Sequence, residues 1–207
     1  MVRKTKSEAL ETRDRILDTA ERLFSERGVS RTSLAAIAEA AGVTRGAIYW
    51  HFKDKIDIFD AMMQRITLPI EEMLNQYATL QIDDPLAYIR NAALDVLRST
   101  AHDAQRQRVF EIVMFKCEFV DEMGEMRARM AAARSGCLSN IEKAVAAAKR
   151  KGQLPRSVNP RRAAIGLHAL IDGLIANWVI DPQNFSLIRE APHVIEFYLR
   201  GMEQAKA

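Results

Sequence analysis

Residues 32–52 leave the fewest options for the fold, because two short amphipathic patterns flank a single glycine there. Thr32 or Ser33 can cap a first helix through its hydroxyl, and apolar residues then repeat at helical spacing. Gly42 can adopt a left-handed backbone conformation without steric cost, so the chain can turn sharply at that point. Thr44 can cap a second helix. The pattern predicts a helix-turn-helix over residues 32–52.

The second helix of this motif can present hydrogen-bond donors to a DNA major groove. Ala47 and Ile48 can pack inward, whereas Arg45, Tyr49 and His51 can point outward. An arginine can donate two bonds to a guanine edge, and Tyr, Thr and His suit phosphate oxygens or a thymine methyl. A surface helical hairpin with a solvated basic side is the alternative interpretation of the same pattern.

These residues resemble the DNA-binding signature of the TetR family of bacterial repressors. The resemblance rests on RTSL at residues 31–34, on AGVTRGAIYWHF at residues 41–52 and on Lys55. It implies a three-helix DNA-binding head, a dimer and a palindromic operator. The resemblance is strongest in this first third of the chain.

Shorter segments elsewhere are similar to the AcrR and TtgR type within that family, whose members repress multidrug efflux pumps. They are MVRKTK at residues 1–6, KCEF at residues 116–119, DGLI at residues 172–175 and Trp178. The resemblance implies a repressor that leaves its operator when a hydrophobic small molecule binds the C-terminal part. A TetR-like regulator of catabolic, lipid or biofilm genes with a metabolite inducer is the alternative function.

Charge is placed as this interpretation requires. Residues 1–55 contain 11 basic and 8 acidic residues, whereas the remainder contains 19 of each, so the net charge of +3 lies with the motif. We expect Arg45, Tyr49 and Thr44 to contact bases or the groove, and other polar residues to contact phosphates. The predicted DNA-binding set is Thr32, Ser33, Thr44, Arg45, Gly46, Tyr49, Trp50, His51, Lys53 and Lys55.

Composition and local signals predict an all-α chain of about nine helices. Six prolines and nine glycines in 207 residues are few, and no long alternating Val, Ile and Thr run suggests a sheet. We expect a DNA-binding head at residues 1–53 and a ligand-binding and dimerisation body at residues 54–207. Residues 7–28 form the predicted first helix, whose preceding basic residues Arg3, Lys4 and Lys6 either follow DNA phosphates or stay solvated.

Several helix boundaries in the body follow from capping residues and prolines. The predicted helix starts are at Asp54, at Asp84 before Pro85, at Asp103, at Asp121 and at Asn159 before Pro160, and residues 192–202 form the predicted last helix. Pro69 lies within the fourth helix, where its ring removes a backbone donor, so we expect a kink or a break there. That bend is either structural or a joint that carries the ligand signal.

Residues 163–180 are almost continuously apolar, so this helix must be buried on more than one side. Packing against a second subunit would bury it, and packing within the chain is the alternative. The candidate dimer-interface residues are Leu170, Leu174, Trp178, Ile195 and Tyr198.

Aromatic, apolar and sulfur-containing residues suggest a ligand pocket, although the same spacing is also common in an ordinary core. A buried Asp172 would need a partner, either His168 one turn earlier or a ligand donor. The resemblance places Asp172 and Cys137 among the residues that line the cavity of efflux repressors. The predicted ligand-binding set is Phe110, Met114, Met130, Cys137, Leu138, Ile141, His168, Ile171 and Asp172.

Other functions lack their motifs. His168 and Asp172 could form an acid–base pair, but no nucleophile elbow, phosphate loop or dinucleotide fingerprint accompanies them, so we expect no enzyme and no cofactor. Cys117 and Cys137 have no metal-binding spacing and are expected to be reduced thiols, a disulfide or redox switch being the alternative. The basic N-terminus precedes a charged segment rather than an apolar one, and no apolar run approaches membrane-spanning length, which predicts a cytoplasmic protein.

Overall fold

Nine α-helices and one short π-helix make up the described part of the chain, and no strand occurs in it. The computed structural model describes residues 6–79, 83–117 and 124–205. The elements are α1 (Lys6–Arg27), α2 (Leu34–Ala40), α3 (Arg45–His51), α4 (Lys55–Thr79), α5 (Pro85–His102), α6 (Ala104–Glu111), the π-helix (Ile112–Lys116), α7 (Gly124–Arg150), α8 (Pro160–Ile180) and α9 (Leu187–Glu203). The predicted all-α fold is confirmed.

The chain divides into two compact units. The first contains Met1–Thr67 and Arg108–Ala128, and the second contains Leu68–Gln107 and Arg129–Ala207. The predicted boundary after residue 53 therefore falls inside the first unit. The reason is that the first half of α4 belongs to the core of that unit.

A stripe along α1 forms the centre of the first unit, where α1 contacts α2 and the π-helix. The stripe consists of apolar side chains at helical spacing that are removed from solvent, namely Ile16, Leu17, Ala20, Leu23 and Phe24. The first half of α4 adds further buried side chains, including Ile58, Phe59 and Met62. The first helix thus supports the helix-turn-helix, as its predicted pattern required.

Helices α5, α8 and α9 pack together in the second unit. Asp84 caps α5 by accepting a hydrogen bond from the Ala87 N–H at 2.9 Å, and Asn159 caps α8 in the same way, so both predicted starts are confirmed. The last helix begins at Leu187 rather than near Pro192, because Ser186 accepts a bond from the Arg189 N–H and starts the helix earlier.

Two predictions about α4 and α7 have different outcomes. Helix α4 is continuous from Lys55 to Thr79, so the break predicted at Pro69 does not occur. The start predicted for α7 at Asp121 lies outside the described residues, as do the basic residues Arg3 and Lys4, whereas Lys6 is the first residue of α1 rather than part of a preceding arm. The first described residue of α7 is Gly124.

Helix α8 is long and apolar enough to cross a membrane by length and composition, contrary to the expectation that the chain has no such run. The same property is common in the core helices of soluble proteins. In this chain Ala164, Leu167 and Ile175 of α8 are buried within the second unit. Helix packing within the second unit therefore covers part of α8, and 28% of its apolar stretch is buried.

Candidate nucleic-acid interface

Local hydrogen bonds build the helix-turn-helix. The Ser33 hydroxyl accepts a bond from the Ala36 N–H at 3.1 Å and caps α2, and Thr44 caps α3 in the same way. Between them Gly42 has φ of +64°, the left-handed conformation that its lack of a Cβ permits. The predicted caps and turn are confirmed, with Ser33 rather than Thr32 as the first cap.

Helix α3 buries one side and exposes the other. Ile48 is buried, and so is Phe52, the residue after the helix, whose ring lies 5.1 Å from the Arg13 guanidinium carbon. On the opposite side the exposed fraction is 53% for Tyr49 and 72% for Trp50. Contiguous exposed apolar side chains often mark an interaction site. The outward side of α3 is therefore a candidate contact surface.

Polar residues of the predicted set surround these aromatic side chains. Arg45, Gly46 and Lys53 are exposed, and the His51 ring lies edge-on to the Trp50 ring with centroids 4.5 Å apart. The backbone N–H of Lys53 donates to the Asp57 carboxylate at 3.0 Å, and Lys53 itself is exposed. The surface thus combines cations, donors and aromatic rings.

Thr32 does not belong to this surface. Its side chain is buried, and its hydroxyl donates to the Gly28 carbonyl at 2.8 Å. The phosphate contact predicted for Thr32 does not fit this geometry, because the hydroxyl is already bonded inside the first unit. Thr32 instead ties the start of α2 to the end of α1.

Lys55 also has an internal position that differs from its predicted phosphate contact. Its ammonium donates to the Val29 carbonyl at 2.8 Å and to the Ser30 carbonyl at 3.0 Å. Both carbonyls lie in the turn after α1, which ends at Arg27, and the ammonium supplies them with a hydrogen-bond donor. Lys55 therefore holds the turn after α1 against the start of α4.

The predicted ligand residues are divided between the two units. Phe110 at the end of α6 and Met114 in the π-helix are half-buried in the first unit. The others lie in the second unit, on α7 or α8; they are Met130, Cys137, Leu138, Ile141, His168, Ile171 and Asp172. A cleft of about 400 Å³ in the second unit is lined by other residues, among them Trp178 and Phe185.

Asp172 pairs with two cations, His168 on its own helix α8 and Arg134 on α7. Its carboxylate lies 3.2 Å from His168 Nδ1 and 3.0 Å from Arg134 Nη2. A hydrogen bond to Asp172, supported by one to Cys137, raises the pKa of His168 to about 9, so the imidazole is charged at neutral pH. The partner predicted for Asp172 is therefore present. The carboxylate is only partly buried, however, and Arg134 was not predicted.

The position of Arg134 could have been anticipated from helical spacing. Arg134 precedes Cys137 by three residues on α7, just as His168 precedes Asp172 by four on α8. Residues three or four apart share a face of a helix. A cation on the face that carries Cys137 was thus a candidate counter-ion for Asp172.

The two cysteines are free thiols in different units. Burial raises the pKa of the Cys117 thiol, and the nearby Lys55 ammonium only partly offsets this effect. A thiol with a raised pKa is mostly protonated at neutral pH and reacts slowly. In the described part of the chain, no cluster of three or more His, Cys, Asp or Glu side chains could hold a metal ion.

The predicted dimer residues separate into buried and accessible groups. Ile195 has an exposed fraction of 0% and Trp178 is also buried, so both belong to the core of the second unit, not to a free surface. The Tyr198 hydroxyl donates to the Ala163 carbonyl at 2.8 Å within the chain. Leu170 and Leu174 remain partly accessible.

Other apolar side chains on α8 and α9 are exposed. Phe197 is 76% exposed, and Ile165, Ile180 and Ile188 are also on the surface. Sequence periodicity missed them because it does not tell which of several apolar faces a neighbouring helix covers.

The paired short helices, the left-handed glycine between them and the exposed cationic and aromatic side of α3 define a helix-turn-helix DNA-binding protein. Two family models match the chain. Residues 16–62 match the model of bacterial regulatory proteins of the tetR family, and residues 84–204 match that of the C-terminal region of MAATS-type transcriptional repressors. The chain belongs to the TetR family of transcriptional regulators.

Individual proteins are similar along nearly the whole chain. The HTH-type transcriptional regulator AcrR of Shigella flexneri is 45% identical over 202 residues, covering 96% of this chain and 93% of AcrR. The crystal structure of NalD, the secondary repressor of the MexAB-OprM multidrug efflux pump in Pseudomonas aeruginosa, has a TM-score of 0.86 and 36% identity, with 97% and 100% of the two chains covered.

A second similar structure contains a ligand. The SmeT–triclosan complex has a TM-score of 0.84 and 31% identity, and the alignment covers 92% of this chain and 91% of SmeT. These relatives are soluble DNA-binding regulators, and regulators of this family are typically not enzymes. The chain is accordingly a soluble transcriptional regulator of this family.

Proposed function

We propose that this protein represses a multidrug efflux pump operon and leaves its operator when a hydrophobic small molecule binds. The observation that carries the proposal is the capped recognition helix α3, whose outward side presents Arg45, Tyr49 and Trp50 to solvent. The similarity to AcrR and NalD over almost the whole chain supports efflux control over the alternative of a catabolic, lipid or biofilm regulator.

The proposed DNA contacts follow from what each side chain exposes. Arg45 and Tyr49 read base edges, and Thr44, Gly46, Trp50 and His51 contact the groove or the backbone. Ser33 and Lys53 contact phosphates. Thr32 and Lys55 position the motif from inside the first unit and contact no DNA through their side chains.

The regulator acts as a homodimer in the cytoplasm. A palindromic operator presents two half-sites about 34–36 Å apart, and two recognition helices must match that spacing. The exposed apolar side chains of α8 and α9, including Phe197 and Ile165, support a dimer formed by these helices, since such side chains favour burial. Leu170 and Leu174 are partly accessible and extend the same proposed interface.

The proposed ligand is largely apolar and carries few polar groups. Phe110, Met114 and Met130 supply adaptable apolar contacts, because methionine changes shape at low cost. The remaining predicted lining residues are Cys137, Leu138, Ile141, His168, Ile171 and Asp172. The charged His168 imidazole and its carboxylate partner would orient a polar group of the ligand. Triclosan, which the SmeT complex contains, is a suitable first probe.

Operator binding can be tested by fluorescence anisotropy with DNA from the region upstream of the gene and excess unrelated competitor. We expect competitor-resistant binding that triclosan, a flavonoid or a hydrophobic dye reverses. Arg45→Ala should weaken operator binding by about 1–3 kcal/mol while leaving unspecific binding nearly unchanged. Arg22→Gln, which removes a cation from the exposed Arg22–Glu26 pair on α1, is the control. If Arg45→Ala and Arg22→Gln weakened operator binding equally, the assignment of α3 as the recognition helix would be contradicted.

A further inference from the structure

Helices α7 and α8 meet through oppositely charged side chains at two places in the second unit. Arg134 Nη2 lies 3.0 Å from the Asp172 carboxylate, and Arg161 Nη1 lies 3.4 Å from the Glu142 carboxylate. From the first contact to the second, the residue number rises along α7 and falls along α8, so the two helices run antiparallel here. Residues between the two contacts on α7 therefore lie opposite those between them on α8.

Cys137 and His168 occupy matching positions in this stretch. Cys137 follows Arg134 by three residues and His168 precedes Asp172 by four, so each lies on the helix face that forms the first contact. A hydrogen bond joins the His168 imidazole to the Cys137 sulfur. His168 Nδ1 lies 3.2 Å from the Asp172 carboxylate, which leaves Nε2 for Cys137. We call the side chains of Cys137, His168 and Asp172 the Cys137 relay.

The order of groups in the Cys137 relay is one that supports a nucleophile. A thiol within hydrogen-bond reach of an imidazole, which a third group orients, is the arrangement found around activated nucleophiles. The hydrogen bond to Asp172 is also the main reason that the pKa of His168 is raised to about 9, so the imidazole carries a proton on both nitrogens at neutral pH. Toward a molecule bound at the sulfur, His168 is therefore a proton donor and not a base.

Open space adjoins both ends of the Cys137 relay. Cys137 and His168 are half-buried rather than enclosed. Gly136 precedes Cys137 and Gly173 follows Asp172, and within the described part of the chain a Cβ on either glycine would meet no neighbouring heavy atom within 4 Å. A small molecule can therefore approach the sulfur from solvent without moving the backbone.

The other cysteine has a different environment and serves as an internal reference. The Cys117 sulfur lies 3.4 Å from the Met126 thioether sulfur, and burial raises the pKa of the Cys117 thiol. The thiolate is the nucleophilic form of cysteine, so a thiol with a raised pKa reacts slowly. The two cysteines of one chain can thus be compared in a single reaction.

We propose that Cys137 captures apolar α,β-unsaturated carbonyl compounds covalently, and that the captured compound acts as an inducer. The Cys137 thiolate attacks the β-carbon, so an S–C bond forms and the C=C π bond breaks. The π electron pair gives an enolate, which takes a proton from His168 at the α-carbon. His168 regains from water the proton that the thiol released on ionising, so the thioether contains every atom of both reactants and no oxidant or reductant takes part.

The inducer role rests on the proposed function, because it needs an operator, whereas the addition to Cys137 does not. An addition needs one proton donor and no base for a second step. The charged His168 therefore suits capture of a compound and does not suit the hydrolytic turnover that an uncharged imidazole would support.

The addition can be measured with benzylideneacetone, an apolar aromatic enone, and with its saturated analogue 4-phenylbutan-2-one as the unreactive control. Peptide mass mapping at pH 7 gives the rate at each cysteine. Cys137 should react about tenfold or more faster than Cys117, and His168→Gln should slow Cys137 by about tenfold or more, because the proton donor is lost. Arg161→Gln is the matched control, since it removes a cation from the other contact between α7 and α8. Thermal unfolding verifies that both variants fold.

Operator anisotropy measures the inducer role. Benzylideneacetone should release the wild type and Arg161→Gln from the operator, whereas Cys137→Ser should stay bound. Triclosan needs no thiol and should release all three proteins. At the same concentration and time, 4-phenylbutan-2-one should release far less of the wild type than benzylideneacetone does, because it forms no adduct.

The outcomes separate the capture proposal from the proposed function. Capture is overturned, and the proposed function stands, if triclosan releases the wild type while Cys137 reacts no faster than Cys117 or while His168→Gln reacts at the wild-type rate. An adduct that leaves the operator bound, or a saturated analogue that releases the protein equally well, overturns the inducer role. If the adduct forms as expected but the wild type does not bind its operator, the proposed function fails and the capture site remains.

Discussion

Gly42 and Gly46 lie close together in the chain, and the same substitution should change the free energy of unfolding in opposite directions at the two positions. Gly42 has φ of +64°, whereas Gly46 lies inside α3 with a helical backbone. Gly42→Ala should lower the free energy of unfolding by about 1 kcal/mol or more, because an L-residue is strained in that conformation. Gly46→Ala should raise it by up to about 1 kcal/mol, because alanine favours a helix. Urea unfolding measures both changes, and equal signs would contradict this assignment.

His168 gives the protein a pH-dependent stability. Its pKa is raised to about 9, mainly by the hydrogen bond to Asp172, so the stabilisation is complete below pH 6.5 and is lost as pH rises through 9. The upper limit of this contribution is about 3 kcal/mol. Urea unfolding between pH 6 and pH 9.5 should show the loss in the wild type and not in His168→Gln. If the free energy of unfolding followed the same pH profile in the wild type and in His168→Gln, this contribution of His168 would be contradicted.

Single residues show how local signals and packing differ in what they specify. Ser33, Thr44 and Gly42 were predictable because a cap or a left-handed turn depends on the residue and its nearest neighbours. The burial of Thr32 was not predictable, because it depends on the hydroxyl bond to the Gly28 carbonyl and on the packing of α1 against α2. The pairing of Asp172 with Arg134 likewise required two helices to meet.

Lys53 and Lys55 flank the start of α4 and should have separable roles. Lys55→Met removes two bonds to the Val29 and Ser30 carbonyls and should lower the free energy of unfolding by about 1–3 kcal/mol. Lys53→Gln should leave stability unchanged but reduce the slope of log K against log salt by about 0.9 for each phosphate that the protein no longer neutralises. In a dimer the substitution affects two phosphates, one in each half-site.

Anisotropy titrations at several salt concentrations, together with urea unfolding, distinguish the two lysines. A lower salt slope in Lys55→Met would indicate that Lys55 contacts a phosphate, as the sequence predicted. An unchanged slope in Lys53→Gln would remove Lys53 from the DNA interface.

Helix boundaries were predictable where the first turn carries its own signal. Asp84 before Pro85 and Asn159 before Pro160 start α5 and α8 as expected. Pro192 was misleading, because it lies inside α9 in a helix that Ser186 starts. A proline within a helix costs one backbone bond, and the burial of Ala191, Ile195 and Leu199 compensates for that cost.

Dimer formation depends on side chains that a single protomer leaves uncovered. Phe197→Glu should weaken the dimer by about 30-fold or more, because it places a charge in an apolar interface. Operator affinity should fall together with dimer affinity, whereas the thermal stability of the monomer should stay unchanged. Leu10→Glu is the control, since Leu10 is exposed on α1 in the other unit.

Ile195→Ala should affect folding rather than dimer formation, because Ile195 is buried within its own chain. It should lower the free energy of unfolding by about 2–5 kcal/mol, because the smaller side chain packs less apolar surface and leaves a cavity. Sedimentation equilibrium and urea unfolding measure both variants. A Phe197→Glu dimer as stable as the wild type would place the interface elsewhere.

The approximate helix number and the helix-turn-helix were readable in the amino-acid sequence, because periodicity, caps and a glycine turn are local in the chain, and the family was readable from the resemblance of the motif residues. The division into units was not, since residues 108–128 join the first unit although they are remote from it in sequence. The internal roles of Thr32 and Lys55 and the core position of Ile195 have the same origin. Each depends on which faces of distant helices meet, and local patterns do not specify that choice.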